Sequence, residues 1–324
     1  MKKAEHRFVG PSDPAQVCVV IVTFHNADSI EALISSLRAA AATHRLRVIV
    51  ADNASADATV SMVRRHPDVL LIETGGNLGY AGAINAASAS IGSADTVLIL
   101  NPDLTIEPGA IDAMLQRMQV SHAGAVVPRI LNPDGSISPS LRREPSILRA
   151  LGDAAMGAKV PRRPGFLSEN IADPAAYTSP QPVDWATGAA ILIDGEVAAR
   201  VGPWDERFFL YSEETDYCRR IRVARKTIWF EPSAVVVHSQ GGSGRSVDLD
   251  RLLAVNRVRY ARKHLSPAAA ATFRGAVVLH ELVRSYAPAH RAILRSVVSE
   301  RTWSSLPRAR LSQDLPQSLH QAAP

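Results

Sequence analysis

The stretch VCVVIVTF (residues 17–24) decides the fold. It is a continuous, largely β-branched apolar run without polar alternation, and such a run fits a strand covered on both faces, as the inner strands of a parallel sheet are. The residues that follow repeat the theme. An amphipathic helix is expected over 28–42, then a second buried strand, LRVIVADN (46–53), then a helix in SADATVSMVRRH (55–66) with Ser55 at its N-cap. A third strand, VLLIET (69–74), leads through the loop GGNLGYAG (75–82) to a helix of small residues, AINAASASIG (83–92), and to a fourth strand in TVLILNPD (96–103). Strand and helix alternating in this way predict a doubly wound α/β sheet. Such sheets bind ligands outside the carboxyl ends of their strands.

Beyond Asp103 the pattern loosens. A helix is expected over 108–120 and a strand in AGAVVPRIL (123–131), followed by an NPDG turn and a Pro- and Arg-containing stretch to 182 that reads as loop with short helices on a substrate-facing side. Regularity returns with VDWATGAAILID (183–194), the unit FFLYSEETDYCRRIRVAR (208–225) and the strand TIWFEPSAVVVH (227–238). From 248 onward the chain reads as helical, and no internal repeat is present.

The 324 residues are 46% hydrophobic and 21% charged, which suits a globular chain with a substantial core. Lys and Arg (36) outnumber Asp and Glu (31), and the basic residues concentrate in the last quarter, which favours an anionic partner such as a membrane surface on that side. They are not interleaved with aromatics, so nucleic-acid binding is not expected. Cys18, in a strand-like run, and Cys218, at a helical core position, point to neither a disulfide framework nor a thiolate metal site, and they fit a reducing cytoplasm. Without a signal-peptide pattern or a bilayer-spanning apolar run, the expectation is a soluble or peripheral protein.

The four strands end in Thr23-Phe24-His25-Asn26, Asp52-Asn53, Gly75-Gly76-Asn77-Leu78-Gly79 and Asn101-Pro102-Asp103. Asp103 could hold Mg²⁺ or Mn²⁺ against a diphosphate, because these ions prefer oxygen ligands and leave positions for phosphate; it also reads as a plain turn residue. Asp52 suits hydrogen bonds from a nucleobase imide or a ribose hydroxyl, or a loop-capping role. GGNLGYAG lacks both the G-x-G-x-x-G pattern and a Walker lysine but offers an approachable backbone. His238, before SQGGSGRS, is either a structural histidine or the partner of Asp103 in a metal site. Glu213, Glu214 and Asp216 fit the first turn of a helix with Ser212 as N-cap, where acids interact favourably with the helix dipole.

Taken in order, VVIVTFHN, ADNASAD, GGNLGYAGAIN, LILNPD, WATGAAILI, WDERFFLYSEETDYCRR and VVVHSQGGS resemble the inverting family 2 glycosyltransferases of the GT-A fold, in particular their bacterial rhamnosyltransferase-like branch. The resemblance implies a Rossmann-like mixed sheet with a helical C-terminal extension. It implies a catalytic domain over 16–247, with a nucleotide-sugar half (16–105) and an acceptor half (106–247). A flexible tail (1–15), a basic helical region (248–310) and a disordered end (311–324) complete the expected division.

Carried residue by residue, Asp52 looks like the aspartate that reads the donor's base, with Thr23 beside it and Asn77 and Gly79 in the donor loop. Asn101-Pro102-Asp103 takes the place of the family's D-x-D motif, with Asn for the first acid. Asp103 and His238 are then the implied ligands of Mn²⁺ or Mg²⁺, and Trp185, Thr187 and Gly188 match the acceptor side. The family's Glu-Asp pair is Glu213-Glu214 here, so Glu214 is the implied base, with Glu213 directed to acceptor hydroxyls and Asp216 supporting the loop.

The expected reaction is transfer of a sugar from a nucleoside-diphosphate donor, dTDP-rhamnose foremost, to a lipid-linked or cell-envelope glycan. The alternatives are a small glycolipid or natural-product acceptor, and a non-catalytic nucleotide-sugar-binding relative. The basic C-terminal helices either lie on the inner face of the plasma membrane or pack on the catalytic domain with a solvated basic face.

Overall fold

The computed structural model describes residues 7–157, 163–239 and 246–311. Its first strand, β1 (Ala15–Thr23), fulfils the reading of the opening run: Val17, Val19 and Ile21 enter one apolar layer and Cys18, Val20 and Val22 the other. Successive strand residues point to opposite faces, so a strand covered twice must be apolar throughout. Each buried Val or Ile contributes about 1.5–3 kcal/mol of hydrophobic stabilisation.

The next elements are α1 (Ile30–Ala40), β2 (Leu46–Asp52), α2 (Thr59–Val63), β3 (Val69–Glu73), β4 (Gly76–Asn77), α3 (Gly79–Ser88), β5 (Ala94–Leu100) and β6 (Leu104–Ile106). There follow α4 (Ala110–Ser121), β7 (Ala125–Leu131), β8 (Leu141–Arg142), α5 (Ile147–Met156), β9 (Gln181–Val183), β10 (Trp185–Ala186), β11 (Ala190–Asp194), α6 (Gly195–Val201), α7 (Glu213–Val223) and β12 (Ile228–His238). The C-terminal elements are α8 (Val247–His264), α9 (Pro267–Leu282), α10 (Pro288–Val298) and β13 (Arg310–Leu311).

The main sheet runs β3-β2-β1-β5-β11-β7-β12-β6, with β9 also paired to β12. Strands β3, β2, β1 and β5 are parallel, and so are β7 and β12, while β11 and β6 pair antiparallel with their neighbours. The result is a mixed, doubly wound sheet. Residues of α1 and α4 fill one face, and residues of α3, α6 and α7 fill the other. A separate apolar cluster joins α5 to α8, α9 and α10 through Ala150, Val258, Phe273, Val277 and Ile293. Both cysteines are buried free thiols, pushed up to about 12 by burial. Among the described residues no helix is long and apolar enough to cross a membrane.

Several local expectations change. Ser55 does not cap a helix: α2 begins at Thr59, and the Ser55 N–H and hydroxyl both donate to Asp52. Helix α3 starts at Gly79 rather than 83. Ser212 precedes α7 with φ +70° and makes no side-chain capping bond, so the acids of α7 lack the expected cap. The 132–182 stretch contains a regular helix, α5, capped by the Ser146 hydroxyl. The expected loose tail is anchored over 7–14, where Phe8 is buried, its N–H donates to Asp68, and Arg47 donates to the carbonyls of Gly10 and Asp13. Residues 1–6, the glycine-rich 240–245 and the expected disordered end from 312 lie outside the described residues.

Candidate active site

The parallel register sets Thr23 beside Asp52 at the ends of β1 and β2. The Thr23 hydroxyl donates to Asp52 Oδ1 at 2.7 Å, and Ser55 supplies two further donors to the same carboxylate. Both Thr23 and Asp52 are buried, and the adjacent His25, Asn26 and Asn53 line a cavity of about 400 Å³. That volume falls within the range of small-ligand sites. Asn77, Gly79, Asn101 and Asp103 reach the same cavity, so the structure assembles four of the sequence-selected donor residues around one space.

The antiparallel pairing of β6 with the end of β12 sets His238 opposite Leu104, one residue from Asp103. Asp103 Oδ1 and His238 Nε2 lie 3.0 Å apart, and the Ser239 N–H and hydroxyl both donate to the Asp103 carbonyl. Adjacent ligands of an octahedral ion with bonds of about 2.1 Å stand about 3 Å apart, so this pair fits a shared Mg²⁺-type ion. Among the described residues no third His, Cys, Asp or Glu completes a metal cluster. Oxygens of a diphosphate and water would have to fill the other positions.

The acids of α7 enter by a strained loop. Phe209, Tyr211 and Ser212 all have positive φ (+61°, +70° and +70°), which costs non-glycine residues of the order of 1–3 kcal/mol each. Asn256 of α8 offsets that cost. Its fully buried amide donates to the carbonyls of Phe208 (2.7 Å), Leu210 (2.9 Å) and Tyr211 (3.0 Å). The carbonyl of Phe209 also accepts the Tyr80 N–H, and a Cβ on Gly79 would stand 2.2 Å from that oxygen. Only glycine lets the donor loop and the acid loop approach so closely.

Glu214 lines a second cavity, of about 420 Å³, together with Trp185, Thr187, Arg142 and Tyr260. Gly188 packs against this side chain, a Cβ there standing 3.5 Å from the Glu214 Cβ, and the carbonyl of Gly188 accepts the Tyr80 hydroxyl at 2.9 Å. The three sequence-selected acceptor residues therefore gather around Glu214, though Trp185 is buried and spends its indole N–H on the Arg143 carbonyl.

Burial and the adjacent Glu214 charge raise Glu213 well above the usual carboxylate range, while Glu214, raised mainly by burial and relieved in part by Arg142, is pushed up to about 7. Each has a buried Oε2 without a protein hydrogen-bond partner. A buried oxygen of this kind is unfavourable unless a donor arrives. Glu213 is buried and does not line the second cavity. Asp216 lies elsewhere: Arg220, Lys263 and His264 engage its fully buried carboxylate at 2.9, 2.7 and 2.6 Å. Burial opposes its ionisation, but the hydrogen bonds from His264 and Lys263 and the Arg220 charge prevail and hold it below its usual range.

Three residues were not singled out from the sequence. Tyr80 lines the first cavity, donates its hydroxyl to the carbonyl of Gly188, the residue after Thr187 of the second, and is kept protonated by burial and by the charges of Glu213, Glu214 and Asp103. Asn53 ties the donor loop through bonds with Leu78 and Gly79. Asn256 lies in a helix whose polar residues read as solvated. An aromatic inside the otherwise small-residue GYAGAIN was the available signal for Tyr80; nothing local marked Asn256.

The Glycosyl transferase family 2 model matches residues 18–168. An N-acetylglucosaminyl-diphospho-decaprenol L-rhamnosyltransferase of Mycobacterium tuberculosis is 35% identical over 291 residues, covering 82% of this chain and 92% of that protein. The low-salt glycan biosynthesis hexosyltransferase Agl10 of Haloferax volcanii is 30% identical, over 63% of this chain and 61% of its own. Among solved structures, the mannosyltransferase PcManGT of Pyrobaculum calidifontis, in complex with GDP-Man and Mn²⁺, superposes with a TM-score of 0.52 at 18% identity, covering 94% of this chain and 80% of that one. Its likeness extends to the fold.

Proposed function

The chain belongs to glycosyl transferase family 2, and from that premise we propose that it is an inverting, metal-dependent transferase that moves rhamnose from dTDP-rhamnose to a lipid-linked glycan on the inner face of the plasma membrane. The observation that carries the reading is the position of Glu214: it lines one cavity, has a buried oxygen without a protein partner, and packs on Gly188, whose carbonyl accepts the hydroxyl of Tyr80, a residue that lines the other cavity together with Asp103. The mycobacterial relative's name supports the sugar and the polyprenyl diphosphate acceptor.

In this reading the first cavity takes the nucleoside diphosphate. Asp52, held by Thr23 and Ser55, faces the base, and Asn77, Gly79 and Asn101 line the path of the diphosphate. Asp103 and His238 would hold Mn²⁺ or Mg²⁺, which supplies positive charge to stabilise the leaving diphosphate. The acceptor hydroxyl enters between Trp185, Thr187 and Gly188 and attacks the anomeric carbon from the side opposite the diphosphate. Glu214 takes the hydroxyl proton as the new glycosidic bond forms, which inverts the anomeric centre. Glu213, confined beside it, disfavours a second negative charge and keeps the basicity of the pair high. Tyr80, kept neutral, spans donor and acceptor sides. Glu214→Gln tests the assignment: dTDP affinity by calorimetry should be retained while transfer is lost, and near wild-type turnover would move the role to Glu213.

A further inference from the structure

The corner where α9 gives way to α10 exposes four large apolar side chains within eight residues: Leu279 (42%), Leu282 (54%), Val283 (52%) and Tyr286 (82%). Globular surfaces usually scatter such residues singly. Here they continue an uncharged outer stripe of α9, Ala268, Ala271 and Gly275, at three- and four-residue spacing. Helix α5, packed along α9 through Ala150, Phe273 and Val277, adds the exposed Leu148 and Leu151.

The charge along α9 and α10 is mostly positive. Between 265 and 299 the chain has four arginines and a single acid, Glu281, which is buried and bonded to His290. Arg291 donates to the carbonyls of Ser285 and Tyr286, so its guanidinium sits at the corner itself. Arg284 donates to the carbonyls of Asp153 and Ala154 at the end of α5. Both guanidinium groups thus bond backbone carbonyls rather than carboxylates. Asp153 also lines the Glu214 cavity, which places the apolar corner one helix away from the acceptor side.

We infer that the α9–α10 corner and the exposed side of α5 form a docking face for an anionic lipid bilayer, with Leu282, Val283 and Tyr286 entering the headgroup boundary and Arg284 and Arg291 meeting lipid phosphates. Apolar and tyrosine side chains framed by arginine suit that boundary, whose lipids present anionic headgroups over an apolar interior. The docked orientation brings the Glu214 cavity to the layer where the head group of a lipid-linked acceptor lies. That last point rests on the proposed function; the bilayer contact does not.

The test is co-sedimentation of the full chain with vesicles of phosphatidylcholine alone and of phosphatidylcholine mixed with phosphatidylglycerol. Wild type should bind the anionic vesicles and lose them in high salt. Leu282→Asp/Tyr286→Asp should lower the partition coefficient about tenfold or more, and Arg291→Glu severalfold. Thermal midpoints should stay unchanged, since these side chains are exposed; Leu282→Ser/Tyr286→Ser serves if the aspartates disturb folding. Transfer to an acceptor on a short, water-soluble prenyl chain should be equal in all variants, while transfer to a vesicle-embedded acceptor should fall with binding. Wild type that ignores anionic vesicles, or a double variant that binds them equally, overturns the docking face. Failure of wild type to use the soluble acceptor would remove the acceptor reading and leave the vesicle result standing.

Discussion

Glu214 and Asp216 lie two residues apart in the first turn of one helix, under the same dipole, and they are built for opposite ends. Asp216 is engaged by Arg220, Lys263 and His264 and is held below its usual range; Glu214 has an unpartnered buried oxygen and is pushed up to about 7. Helix position therefore explains neither. The partners decide: the side of α7 facing α8 fixes the C-terminal helices to the main sheet, and the side facing the second cavity leaves Glu214 with an unpartnered oxygen, as the proposed base requires.

The sharpest way to break this contrast is to neutralise each acid in turn. Glu214→Gln should cost about a thousandfold in transfer rate, within the range for loss of a general base, with no loss of thermal stability. Asp216→Asn should do the reverse. Stripping a buried carboxylate from charged partners costs about 3–5 kcal/mol, so its thermal midpoint should drop by several degrees while the folded fraction keeps most of its turnover. Equal stability losses in both variants, measured calorimetrically, would erase the distinction.

A smaller effect is expected on the donor side. His238→Ala should lower metal affinity about ten- to a hundredfold while leaving an activity that excess Mn²⁺ restores. Transfer by the wild type should stop on chelation. Activity indifferent to chelator would remove the Asp103–His238 site.

The comparison also has a pH signature in stability. The folded-state value of Glu214 lies above its unfolded value of 4.5, so between 4.5 and about 7 the unfolded chain releases the proton first and stability falls as pH rises. Glutamine does not titrate. The stability advantage of Glu214→Gln over wild type should therefore grow across that window, to at most about 3 kcal/mol, and level off above it. A constant difference from pH 4.5 to 8 would contradict the raised value. The mildest change is Tyr80→Phe, which removes one hydrogen bond to Gly188 worth about 0.5–1.5 kcal/mol and should slow transfer by tenfold or less.

What could be read in advance follows from how local each cause is. The doubly wound sheet was legible because buried parallel strands must be apolar throughout, and the runs at 17–24 and 46–53 are. The strand-end polar residues were legible because chain order places them on one rim. Ser55 and Ser212 were misread as caps because both sit before acidic or helical residues. The structure spends Ser55 on Asp52 and holds Ser212 in a left-handed conformation. That conformation depends on Asn256, 44 residues later than Ser212, through contacts that no local pattern encodes. The division of labour between Glu214 and Asp216 was equally invisible, since Lys263 and His264 reach Asp216 only once α8 has packed.

The most direct test of the account is the pH dependence of kcat/KM for the acceptor at saturating donor, in wild type, Glu214→Gln and Arg142→Gln. Glu214 must be ionised to accept a proton, so the wild-type rate should fall about tenfold per pH unit below a limb near 7. Arg142 favours the ionised form, so its removal should move the limb upward, and Glu214→Gln should lose the limb altogether. A wild-type limb near 4.5, or an unchanged limb in Glu214→Gln, would contradict the assignment of Glu214 as the base.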